Sequence, residues 1–181
     1  MKAAKLAILL LMSLCGASVV VAADSAVQGK VDRKIKEIAE WAASPVVVDA
    51  VKAHNAAPDP QAAGMTQDKW ATLPLLDPLL RSLMKNPAAE FLKSKKDDSV
   101  SEAFLSGADG TKVAFISKPT NWSHKGKPKH DVPMSGKVWQ GNIEIDQSSG
   151  LEQLQVAVPV FDGAKPVGSL VVGLSVRALS Q

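Results

Sequence analysis

The chain has a single cysteine and no tyrosine, and only 4% of it is aromatic. The cysteine, Cys15, lies within the first two dozen residues. Leu14 fills the position before it, where lipid attachment would want a small residue. Everything downstream lacks a thiol, which excludes a disulfide, a thiolate metal site, haem attachment and a cysteine nucleophile there. The core alone must hold the fold. Catalytic signatures are absent as well: there is no Gly-x-Ser-x-Gly elbow, no phosphate-cradling glycine loop and no paired carboxylates at a telling spacing. Ser123 and His124 are neighbours in sequence, a poor arrangement for a nucleophile and its base. The sequence therefore reads as non-enzymatic, with no cofactor implied. Past residue 23 no apolar run approaches spanning length, and the longest, 167–176, is interrupted by Gly168, Ser169 and Gly173.

What the chain does have, at its start, is the three-part pattern of an export signal. Lys2 and Lys5 form a basic n-region, residues 6–21 carry no charge, and Val21-Ala22-Ala23 offers the small residues of a cleavage site before Asp24. The apolar stretch of 16 residues is short of the roughly 18 to 20 needed to cross a bilayer. Residues 1–23 are thus expected to be a cleaved signal peptide and the mature protein to be periplasmic or secreted. Removing 23 residues from 181 leaves 158, one ordinary domain able to bury a real core. Loss of the two lysines takes Lys+Arg from 21 to 19 against 18 Asp+Glu, so the mature charge is about +1 and does not point to nucleic acid.

The mature chain changes texture near residue 98. In the part from 24 to 98, Val27, Val31, Ile35, Ile38 and Ala42 recur at helical intervals. Ser44-Pro45 and Asn86-Pro87 read as caps followed by proline at the first helical position. A further helix is expected over 77–85 with Leu79, Leu80 and Leu83 as its stripe, and Trp41 and Trp70 are expected in the core. From 99 to 181 the texture is β. Residues 100–105 and 112–117 flank the turn Gly107-Ala108-Asp109-Gly110, and 112–117 reads as a central strand. A long loop is expected over 118–136, then a strand over 138–145 bulged at Gly141. In 153–160, Leu154, Val156, Val158 and Val160 alternate with Gln153, Gln155, Ala157 and Pro159. Asp162-Gly163 turns the chain into a last strand over 167–176. Helices first and five antiparallel strands after make an α+β domain with one sheet face covered by the helices.

Five pieces of the second half, in order, resemble the Cache (PDC) sensor domains, extracytoplasmic relatives of the PAS fold. They are Ser106-Gly107-Ala108-Asp109-Gly110-Thr111-Lys112-Val113-Ala114, Thr120-Asn121-Trp122, Lys137-Val138-Trp139-Gln140-Gly141, Ile143-Glu144-Ile145-Asp146-Gln147-Ser148-Ser149, and Gln155-Val156-Ala157-Val158-Pro159-Val160-Phe161-Asp162-Gly163-Ala164-Lys165-Pro166-Val167-Gly168. The last, with its Asp-Gly turn between two strands, is the most telling. The resemblance implies N-terminal helices packed on a five-stranded antiparallel PAS/Cache-like sheet. It also implies a pocket between that sheet and the long central loop for a carboxylate or amino-acid-like ligand, without catalysis. With no later hydrophobic segment, the domain is expected to be untethered and to pass its state to a membrane-bound or periplasmic partner protein.

Candidate ligand contacts follow. Trp122 and Trp139 flank the central loop, where an indole gives a flat wall and one N–H donor; core packing is the competing reading for both. Lys137, beside Trp139, and Arg81, in an apolar helical stretch, could hold a carboxylate. Lys125, Lys127 and Lys129 read as solvated. His124 beside Trp122 could line the pocket, and Asp146, by the resemblance, could meet an amino group or else cap its turn. Two alternatives stay open: a structural or interaction module whose pocket is filled, and an extracytoplasmic metal site at His124, His130 and Asp131, whose spacing matches no recognised metal motif.

Overall fold

The computed structural model describes residues 25–145 and 152–181; the expected export signal over 1–23 and Asp146 lie outside them. The first helix, α1 (Ser25–Ala42), buries Val27, Val31, Ile38, Trp41 and Ala42, the face that their three- and four-residue spacing defines. Three X-Pro pairs then start three helices: Ser44 opens α2 (Pro45–Ala56), and Asp77 and Asn86 open α4 (Pro78–Lys85) and α5 (Pro87–Ser94). Proline at the first helical position loses nothing, because its missing N–H would have had no partner. The Asp77 and Asn86 side chains also accept from Leu79 N and Ala89 N at 2.9 Å. Between α2 and α4 lie a 3₁₀ turn (Pro60–Ala62) and the short α3 (Gln67–Thr72), capped by Thr66.

The strands are β1 (Val100–Gly107), β2 (Lys112–Phe115), β3 (Trp139–Ile145), β4 (Glu152–Asp162) and β5 (Lys165–Ser175), all antiparallel in the order β2-β1-β5-β4-β3. Gly163 holds φ 61° in the β4–β5 turn, where only glycine is at ease. A one-turn helix, α7 (Val176–Leu179), follows β5.

Three expectations need correction. Residues 112–117 are not a central strand: β2 is at the sheet's edge and ends at Phe115. It reads as central because helices wall its open side, where Asn86 Nδ2 donates to Val113 O at 2.8 Å. The stretch 118–136 is not all loop, since it contains α6 (Pro128–Met134), a helix with no side-chain cap and with Pro133 inside it. Finally, both faces of the sheet are covered, not one. On the first face Val31, Ile38, Val47 and Val51 meet Ala103, Leu105, Val156, Val158, Leu170 and Val172. On the second, α3, α4, α6 and the 118–127 segment cover Phe104, Phe115, Ala157 and Val171.

Candidate functional site

Strand register lays the second face out in rows. The first runs Phe115, Phe104, Val171, Ala157, Trp139 across all five strands. Trp70, fully buried, closes it from above. Its ring stands edge-on to Phe115 at 5.9 Å and tilted to Trp122 at 5.0 Å, and its indole N–H donates to Pro119 O at 2.8 Å. Trp122 is held at this spot by Gln67, whose side-chain oxygen accepts from Trp122 N. This part of the face is filled with aromatic rings.

The second row is polar although buried: Lys112, Ser106 and Ser169, each with no exposed surface. The Lys112 ammonium lies 2.6 Å from His124 Nδ1, 3.3 Å from Ser106 Oγ and 4.9 Å from the Phe104 ring centre. His124 stacks on Phe104 at 4.8 Å. Burial, then the charge of Lys112, push the His124 pKa down to about 2, so the ring is neutral, and against a charged Lys112, which can only donate, its Nδ1 is the acceptor. Burial likewise pushes Lys112 down to about 7, against the pull of Asp109 and Glu102. His130, on α6, places Nδ1 2.8 Å from Ser169 Oγ. The Asp109 carboxylate is held well below its usual range by His54, whose Nε2 lies 3.6 Å away, and by Thr111.

The third row turns open. Glu102 and Gln155 flank Gly173, and the Gln155 and Gln153 amides both donate to Glu102. Lys129 comes down from α6 onto the Gln155 side-chain oxygen. Here, between α6 and β3–β4, a cavity of about 140 Å³ is lined by Lys129, Trp139, Asn142, Glu144, Gln153 and Gln155. Gly141 makes the Trp139 wall possible: a Cβ there would sit 2.7 Å from the indole. Burial holds the Lys129 pKa below its ordinary value despite Glu102 and Glu144. Among the described residues Lys129 has no carboxylate in ion-pair range.

Of the residues singled out in the sequence, Trp122 is buried against Trp70 and His124 against Phe104, and Trp139 lines the small cavity. Lys137 and Arg81 are exposed and do not line this cavity. Lys125 and Lys127 are exposed as expected, whereas Lys129 is half-buried. Sequence reasoning missed Lys129, Gln155 and Lys112; the α6 start at Lys127-Pro128 was the one signal that could have brought Lys129 in. Among the described residues no group of three His, Cys, Asp or Glu is placed to hold a metal ion, and none of their helices is long and apolar enough to cross a membrane.

No family model and no curated protein matches the chain. Solved structures do. The sensor domain of the V. cholerae histidine kinase DctB is 18% identical with a TM-score of 0.38, over 84% of this chain and 60% of that one. The ligand-binding domain of the Pseudomonas aeruginosa amino acid chemoreceptor PctB, solved with L-Arg, is 18% identical with a TM-score of 0.43, over 86% and 53%. That of the Campylobacter jejuni chemoreceptor Tlp3, solved with 4-methylisoleucine, is 11% identical with a TM-score of 0.42, over 86% and 62%. The chain thus spans less than two thirds of these domains. The fold is α+β, N-terminal helices on a five-stranded antiparallel sheet in the order β2-β1-β5-β4-β3, the architecture that the sequence resemblance to Cache domains implies.

Proposed function

We propose that the chain is an exported, non-catalytic binding domain that takes a small carboxylate or amino-acid-like ligand between α6 and β3–β4. On this reading it presents its occupancy to a periplasmic or membrane-bound partner protein. The observation that carries it is Lys129: a half-buried ammonium whose hydrogen bond goes to a neutral amide. A ligand carboxylate would supply the missing charge and displace the Gln155 oxygen. Trp139 gives a flat wall, and Glu144 stands ready for an amino group on the same cavity. The volume limits the ligand. At about 140 Å³ the cavity is well below the roughly 300–1,000 Å³ of drug-sized ligand sites, so the guest is a small molecule. Because His130 follows Lys129 on α6 and is tied to Ser169 of β5, a shift of α6 on binding would reach the sheet's central strand.

A thermal-shift screen of small organic acids and amino acids tests this. Ligand at 100 times Kd should add about 2.7 kcal/mol of stability, and Lys129→Ala or Trp139→Ala should remove the shift while leaving a folded domain. No shift with any of them would sink the proposal. The filled row of Trp70, Trp122, Phe104 and Phe115 favours a second reading, an interaction module. That reading expects Lys129→Ala to change nothing measurable in any ligand titration.

A further inference from the structure

A larger groove lies away from α6, between α2, the start of α5 and the edge strand β2. Its volume is about 580 Å³, within the roughly 300–1,000 Å³ of small-molecule sites. Val46, Asp49, Ala50, Ala53, His54 and Ala57 form one wall, a single helix face by their spacing. The alanines are why there is room, since any larger side chain would stand in the groove. Leu83, Pro87 and Val113 complete the apolar part.

The charge of the groove is one-sided. Asp49 and Asp59 line it, His54 is the only other ionisable group on it, and no lysine or arginine does so. The Asp49 side chain is exposed and makes no hydrogen bond or ion pair among the described residues. Asp59 accepts from Gln61 N at 2.8 Å and from Ser82 Oγ at 3.3 Å, which leaves a carboxylate with spare acceptor sites. A second cavity of about 310 Å³ shares His54 and Asp59, adds Asp109, Met65 and Trp122, and again has no lysine or arginine on its walls. Carboxylates beside an apolar surface repel anions and attract cations more strongly than they would in open water.

We propose that this groove binds an amphipathic organic cation, an ammonium carried on an aliphatic or aromatic body, with Asp49 and Asp59 holding the charge and Ala50, Ala53 and Leu83 the body. It is a second site, opposite in charge preference to the cavity at Lys129.

Isothermal titration of the full chain with hexylamine and 1,6-diaminohexane, against hexan-1-ol and hexanoate, tests it. Saturable one-to-one binding of the amines, weakened by salt and absent for hexanoate, is expected. Asp49→Asn, which disturbs no internal bond, should weaken the amines about fivefold, and Ala53→Leu should abolish binding by filling the groove. Lys129→Ala should leave amine affinity unchanged even where it destroys carboxylate binding, so the two sites fail separately. The proposal is overturned by hexan-1-ol binding as tightly as hexylamine, by unchanged affinity in Asp49→Asn, or by no saturable heat. It is equally overturned by light scattering that shows a dimer dissociated by Ala53→Leu, which would make a second copy the occupant.

Discussion

The two faces of the sheet are made by alternate residues of the same strands, and their chemistry differs completely. Leu105, Leu170, Val172, Val156 and Val158 point into the first face and meet only apolar side chains of α1, α2 and α5. Ser106, Ser169, Gly173, Gln155 and Pro159, their immediate neighbours, point into the second. The first face is apolar throughout its buried cluster. The second passes from a filled aromatic row through a buried polar row to an open one. An apolar interface tolerates any well-packed set of side chains, whereas a buried polar row persists only when each group has its partner. Stability therefore resides mainly on the first face, and of the two faces it is the second that opens into a polar cavity.

The contrast is sharpest at residues 169 and 170. Leu170→Ala on the first face should cost about 3 kcal/mol, read as a fall in the urea midpoint with an unchanged slope. A loss below about 1 kcal/mol would mean that the first face is not the stabilising one.

Next in size is the buried amine. Lys112 titrates near 7 in the fold and near 10.4 when unfolded, so between those values the unfolded chain holds more protons and stability must rise with pH. The gain from pH 7 to 9 should be about 2 kcal/mol. Lys112→Met should flatten that rise. His124 adds a second window with the same sign. Its folded pKa near 2 lies below the unfolded value near 6.5, so stability should fall as pH drops below about 6.5. A wild-type profile flat between pH 7 and 9 would show that Lys112 is not buried as an amine.

Much of the first face was legible in the sequence and much of the second was not. Helical spacing marked Val31 and Ile38, X-Pro pairs marked the starts of α2 and α5, and alternation in 153–160 separated Leu154 and Val156 from Gln153 and Gln155. These are local periodicities, readable because each residue's face follows from its neighbours. The polar rows depend on which strands become neighbours. Nothing near Lys112 says that His124 will lie against it, and nothing near Lys129 says that Gln155 will accept its bond. Trp139 could be singled out because it flanks the 118–136 stretch in the sequence. Arg81 and Lys137 carry the right charge, but α4 and the segment before β3 present them to solvent.

Ser169→Ala comes third, at about 1–2 kcal/mol, because it strands His130 Nδ1 in a buried setting. The effect should be smaller than that of Leu170→Ala one residue away; a reversal of that order would break the comparison between the faces.

The smallest effects belong to the charges that left the second face altogether. Arg81→Ala and Lys137→Ala remove exposed cations that make no ion pair among the described residues, and exposed charges of this kind shift stability by less than about 0.5 kcal/mol. They should also leave carboxylate affinity at the Lys129 cavity within about twofold, because an exposed charge is screened within about 10 Å at 0.1 M salt. The informative variable is therefore salt. If Lys137→Ala weakens ligand binding at low salt but not at 0.15 M, Lys137 steers the ligand from a distance. If the loss survives at 0.15 M, Lys137 reaches the ligand itself, and the segment before β3 must fold over the cavity when it is occupied.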